Sequence, residues 1–491
     1  MKANRVFQVV AAMGLLAVNA WTADPQLTIY NQNFAVVRML IPLDLKPGEN
    51  RIQFTDTTAF VEPESVILRD PTGARTLQIL EQNYRADPVS QQLLLSLYEG
   101  KTLDFQLQPT DPKSVVRGKV IRSGYISPRF GNSGAVQEPI IEVDGRLHFG
   151  LPGVPIFPAL IGDTILKPTL NWVLQSDKPG EVNAEFSYVT GQITWSADYN
   201  LVAPEKGDQI DLVGLVTVNN QTGKTFENAR IKLMAGIVNK IQPRMNDRFV
   251  MGQSTTVYAM LGGGPSQVSE KPFDEYHLYE LHRPTTLHDQ ESKQVEFVRA
   301  AGIKAERFYV YDGVKINQDQ YRGWNMEGIR QNAEYGTESN PDVAVMRQFV
   351  NSEANHLGMP LPAGRLRFYR QDADGQLEFT GENDIKHTPR DETIRVFTGD
   401  AFDIKGERRR TDYRIDMARR MLAESFEIKL RNHKKEPVEV RVVEHLYRGT
   451  NWEITQPSTT YLKTDSQTME FRVQVAPDAE KVVTYTAHYT W

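Results

Sequence analysis

The chain contains no cysteine. That excludes disulfides, thiolate metal sites, cysteine nucleophiles and the lipid-modified cysteine of a bacterial lipoprotein. It also has no His-Glu-x-x-His pair, no Gly-x-Ser-x-Gly elbow and no Gly-rich phosphate loop of Walker or dinucleotide type. Beyond the first twenty residues no apolar run approaches the ~20 residues that a membrane-spanning helix needs. No heptad pattern is sustained, so no coiled coil is expected. The net charge of -6 and pI of about 5.9 give no broad attraction to nucleic acid or anionic lipid.

What remains is an ordinary globular composition, 40% hydrophobic and 24% charged, in 491 residues. That length is enough for roughly three domains. The opening residues read as a targeting signal. Lys2 and Arg5 precede a mostly apolar run from Val6 to Val18, and Val18-Asn19-Ala20 suits a signal peptidase. The expectation is a signal peptide over 1–20, cut after Ala20, and export to a bacterial periplasm or exterior.

Period-two alternation dominates the rest. Phe426, Ile428 and Leu430 alternate with Glu427, Lys429 and Arg431. Val483, Tyr485, Ala487, Tyr489 and Trp491 alternate with polar residues, and Ile210, Leu212, Val216 and Val218 share one parity. Such alternation places apolar side chains on one face of a strand. Lys46-Pro47-Gly48, Lys178-Pro179-Gly180 and Asp374-Gly375 punctuate the runs as turns. The fold class expected is all-β, in tandem antiparallel sandwich-like domains with a mixed insertion containing short helices. The expected divisions are an N-terminal β domain at 24–108, a small β module with a Pro-rich connector at 109–163, and a β-sandwich region at 164–491. A linker and insertion fall at about 242–356. Gly262-Gly263-Gly264 marks the linker, and a short helix is expected over Asp342 to Ala354. Whether the strand-rich blocks on either side of the insertion share one sandwich is left open.

Several segments carry a resemblance. KPTLNWVL (167–174), TGQITWSADYNLV (190–202), NQTGKTFENARIKLMAG (220–236), LPAGRLRFY (361–369), EFTGENDIKHTPRDE (378–392), GDAFDIKGERRRTDY (399–413) and the terminal YTAHYTW resemble the exported bacterial family defined by domain of unknown function 4139. The mucoidy-inhibitor-A-like proteins also belong to that family. The opening LTIYNQNFAVV resembles the β unit that precedes its domain. The resemblance implies no catalytic residue at any position, and the long coiled coil of the mucoidy-inhibitor members has no counterpart here.

Candidate chemistry is sparse. The most charged stretch, residues 399–414, holds Arg408, Arg409 and Arg410 behind Asp400, Asp403 and Glu407. With a turn at Lys405-Gly406 it reads as a solvated hairpin. The alternative is an anion or polysaccharide contact through Arg408 and Arg410, because guanidinium groups suit carboxylates and phosphates. His277, Glu280, His282 and His288 are possible metal ligands, but at poor spacing for a strand. His387, Asp391 and Glu392 imitate an acid–base cluster. Among the aromatics, Trp195 reads as core and Trp324, in the weakly patterned insertion, as exposed. The candidate interaction residues are therefore Arg408, Arg410, Trp324, His387 and Asp391, with no catalytic residue, cofactor or metal assigned. The expected function is a non-catalytic binding or assembly protein of the cell envelope, with a protein or polysaccharide partner and no nucleic acid. The alternative is an envelope hydrolase acting on glycan through paired carboxylates.

Overall fold

The computed structural model describes residues 24–108, 111, 113–125, 138–158, 160, 164–205, 207–236, 238–240, 268–273 and 275–491. The leader at 1–20 and the Gly262-Gly263-Gly264 loop lie outside them. The described residues form thirty strands and two short α-helices, Gln91–Leu97 and Met326–Gln331. The chain is mainly β, as the alternation requires. In the Met421–Asn432 strand every second residue from Leu422 is buried. In Ala479–Thr490 the inward set is Val483, Tyr485, Ala487 and Tyr489.

The chain divides into two interleaved compact units. One comprises residues up to Trp195 with Val218–Met234 and Tyr279–Lys293; the other comprises Ser196–Thr217, Ala235–Leu278 and Gln294–Trp491. In the first, the Phe34–Leu45 strand lies between Gln26–Tyr30 and Gly180–Gly191, pairing antiparallel with both. Gln26–Tyr30 pairs in parallel with Phe226–Ala235. A three-stranded sheet, Gly48–Phe54, Thr169–Ser176 and Leu77–Arg85, supplies a second layer. Trp172 from that layer meets Phe186 edge to face at 5.3 Å. A five-stranded sheet spanning Thr102–Gln106 to Val154–Ile156 has its own core of Leu103, Phe105, Val120 and Ile141, closed by Leu95 and Tyr98.

Most of a five-stranded sheet and all of a nine-stranded sheet fall in the second unit. The five-stranded sheet runs in the order Glu291–Lys304, Gln209–Asn220, Ile193–Ala203, Gly364–Gln371, Leu377–Ile385. The nine-stranded sheet runs Trp452–Thr455, Ala479–Thr490, Met421–Asn432, Thr393–Asp416, Asp342–Val350, Glu306–Asp312, Val438–His445, Thr468–Val475, Tyr461–Lys463. The second and eighth strands of that order touch, with the Phe471 and Tyr485 rings 5.6 Å apart. The large sheet therefore curls over on itself and packs its own inner faces, which is how a wide twisted sheet buries apolar surface. Antiparallel pairing prevails, but Ile193–Ala203 with Gly364–Gln371 and Glu306–Asp312 with Val438–His445 are parallel.

Two local expectations are corrected. Asp342–Val350 is a strand, paired with Glu306–Asp312 and Thr393–Asp416, and the short helix in this region is Met326–Gln331. The inward positions of that strand include Val343, Arg347 and Phe349. The arginine interrupts the apolar alternation that would have marked a strand. Lys405-Gly406 is no turn either: one strand runs from Thr393 to Asp416, and the chain reverses after it, with Arg420 at φ 54. Gly406 is needed for close approach, since a Cβ there would lie 2.1 Å from the Tyr311 ring.

Candidate functional site

The arginine triplet splits across the strand as its parity requires, but the inward face is dry. Arg408 sits over the Phe426 ring at 4.0 Å and donates from Nε to the Glu444 carboxylate at 2.9 Å. Its Nη1 donates to the Gly336 carbonyl at 2.8 Å. Glu444 also accepts from the Tyr485 hydroxyl. Arg410 donates to the Ala333 carbonyl and lies 3.6 Å from Glu424. Glu424 is in turn gripped by Arg448 through Nε at 3.0 Å and Nη2 at 2.9 Å. Arg448 further donates to the carbonyls of Ile329, Asn332 and Tyr335. Burial opposes the Arg408 charge, yet the Glu444 carboxylate holds its pKa above the ordinary guanidinium range. Only Arg409, beside Glu427 at 3.0 Å, lies on the solvated face. The inward arginines act as a clamp on the backbone carbonyls of residues 329–336, following the rule that buried charges are paired.

The other sequence candidates lie apart. Trp324 is 42% exposed and meets Tyr321 edge to face at 5.2 Å. His387 accepts at Nδ1 from the Ala363 backbone N–H, and burial lowers its pKa. Asp391 occupies a left-handed position, φ 64, with its carboxylate 3.5 Å from Arg390. Trp195 is core and donates to the Met234 carbonyl. His277 pairs with Glu270 at 2.7 Å, and among the described residues no three His, Asp or Glu side chains gather as a metal site.

A second guanidinium cluster gathers residues far apart in the chain. A cavity of about 230 Å³ opens within the second unit. The five-stranded sheet contributes Leu201, Ala203, Ile210, Phe368, Tyr369, Arg370 and Thr380. The nine-stranded sheet contributes Arg307, Val345, Arg347, Thr398, Gly399 and Asp400. Two bulges shape it. Between Phe368 and Tyr369 the register skips from Gly381 to Phe379, leaving Thr380 unpaired. Between Val345 and Met346 it skips from Gly399 to Phe397, leaving Thr398 unpaired. Both extra residues line the cavity, as bulges re-aim side chains beside functional sites. Each is followed by a glycine at positive φ, Gly381 at 153° and Gly399 at 134°. A Cβ on Gly381 would stand 2.6 Å from the Thr398 carbonyl oxygen, so glycine lets the two bulged strands meet.

Arg347 is the most deeply buried of the three cavity arginines. It is only 6% exposed, and its Nη1 is buried without a hydrogen-bond partner. Burial lowers its pKa first, and the nearby charges of Arg307 and Arg370 lower it further; Asp208 opposes them. Arg307 has Glu436 at 3.6 Å, and Arg370 donates to the Glu205 carbonyl.

A family model described as a domain of unknown function (DUF4139) matches residues 184–491. The chain belongs to that family. Every residue lining the cavity falls inside the DUF4139 match. No curated protein matches the chain. Among the described residues no helix of this DUF4139 protein is long and apolar enough to cross a membrane.

Chemically, the DUF4139 cavity presents donors. Its threonine hydroxyls are committed to carbonyls, Thr398 to Val345 at 3.0 Å and Thr380 to Phe368 at 3.3 Å. Its lining holds a single carboxylate, Asp400. A charged residue on the inward parity of DVAVMRQFV was the signal available in the sequence.

Proposed function

We propose that this DUF4139 protein is a non-catalytic binding protein of the bacterial cell envelope that holds a group of its partner in the bulge-framed cavity. One observation carries the reading: the cavity lining combines three guanidinium groups and apolar side chains with one carboxylate. Glycan hydrolysis by acid and base needs two carboxyl groups facing each other across the scissile bond. A serine- or threonine-type nucleophile needs a neighbouring base, and both threonines here donate to backbone carbonyls instead. Mostly apolar walls with a few convergent polar groups are the usual make-up of a ligand pocket. The envelope location is supported by the leader pattern of Lys2, Arg5 and the apolar run that follows.

The test uses the full chain in its native cells, with a photo-crosslinking residue in place of Tyr369 on the cavity wall. The expected result is a defined adduct in the envelope fraction, with the leader removed. Retention in the cytoplasm with the leader uncut would overturn the location. Glycan cleavage by the purified protein that disappears in Asp400→Asn would overturn the non-catalytic reading in favour of a hydrolase.

A further inference from the structure

We infer that the cavity is a carboxylate-binding site that takes a compact organic acid, with the Arg347 guanidinium as the buried group that receives it. The inference deepens the binding reading above and rests on it. Guanidinium and carboxylate match in planar geometry, and an ionised partner roughly doubles the strength of such hydrogen bonds. Arg347 offers a buried donor nitrogen with no partner, on a side chain that lines the cavity. A buried donor left without a protein partner is costly and calls for a partner of another kind, a water, an ion or a ligand.

The surroundings narrow the class. Arg307 and Arg370 also line the cavity and favour negative charge there. Asp400 shares the wall and opposes a second negative charge, which disfavours a phosphate dianion. Leu201, Ala203, Ile210 and Phe368 supply an apolar surface for the body of the acid. At about 30 Å³ for each water-sized group, the cavity of about 230 Å³ holds roughly eight such groups. That is the size of a six-carbon carboxylic acid or an aromatic acid.

The experiment titrates the purified full-length protein, leader removed if cells remove it, with sodium hexanoate or benzoate at constant ionic strength. Thermal unfolding is one readout, and the carbon-13 shift of carboxyl-labelled hexanoate is the other. Both acids are expected to bind saturably and to raise the unfolding midpoint, while hexanol and inorganic phosphate leave it in place. Arg347→Met is expected to weaken hexanoate by about tenfold or more, the loss of a charge-assisted contact. Should Arg347→Met fail to fold, Arg370→Gln provides the second variant, with a several-fold loss expected and an unchanged far-ultraviolet spectrum. Equal response to hexanol and hexanoate, a stronger response to phosphate, or no response to either acid would each overturn the inference. Its failure is separable from failure of the binding reading. A Tyr369 adduct that persists in Arg347→Met sinks the carboxylate site and leaves the envelope binder standing. Hexanoate binding without any envelope adduct does the reverse.

Discussion

Two buried arginines in the same unit, Arg448 and Arg347, show what burial does to a guanidinium group. Arg448 is fully enclosed, with two contacts to Glu424 and three to backbone carbonyls. Arg347 is enclosed to nearly the same degree, with Nη1 unpartnered and two like charges close by. The same residue type under the same desolvation thus serves two purposes. Arg448, with Arg408 and Arg410, fastens the segment from Ile329 to Gly336 to the curled sheet. Arg347 fastens nothing through that nitrogen, and its side chain lines a cavity.

The comparison can be broken at its strongest point first. Glu424→Ala leaves Arg448 and Arg410 without their shared carboxylate, and stripping one partner from a buried pair costs about 3–5 kcal/mol. Urea unfolding should show that loss, together with early proteolysis within 329–336. A cost below ~1 kcal/mol would mean the clamp is ornamental. Arg347→Met tests the other arm. Replacing an incompletely paired buried charge with an apolar side chain of similar length should leave stability unchanged or raise it by about 1 kcal/mol. A loss of several kcal/mol in the same unfolding experiment would make Arg347 a structural fastener like Arg448 and erase the contrast.

A half-exposed pair sets the lower end of the scale. His445 Nε2 lies 2.9 Å from Asp312, and that hydrogen bond, with the Asp312 charge, raises the His445 pKa above 6.5 despite partial burial. A raised folded-state pKa contributes stability that is complete below the unfolded value. That stability is lost as pH rises through the folded value. Solvent screening keeps it under about 1 kcal/mol. Unfolding midpoints measured from pH 6 upward should fall slightly more in the wild type than in His445→Gln; parallel curves would remove the pair from consideration.

Much of the β architecture was legible because strands such as Met421–Asn432 and Ala479–Thr490 keep strict alternation on a one-sided core. The failures have physical causes. Asp342–Val350 hid because its inward position 347 is an arginine, which no hydrophobic pattern counts as core. Gly406 imitated a turn because glycine serves both chain reversal and close packing, and only the Tyr311 ring tells which. Parallel pairing, as between residues 309–312 and 440–443, joins segments too distant for any local signal. Charge density points to Arg408 and Arg410, whose carboxylate partners Glu444 and Glu424 lie outside the charged stretch. The cavity arginines, 307, 347 and 370, are scattered along the chain and share no local motif.

The interleaved topology bears on how the family's boundary is used. Residue 184 falls inside the Gly180–Gly191 strand, where Ala184 pairs with Ile41. A fragment cut to the matched segment would begin mid-strand and lose Phe34–Leu45 as that strand's neighbour. It would also strip Gln26–Tyr30 from the side of Phe226–Ala235. Two runs of main-chain donors and acceptors would face water unprotected, and bare strand edges recruit other chains. Self-association of such a truncated piece would report on the missing first 183 residues and not on the natural oligomeric habit of the protein.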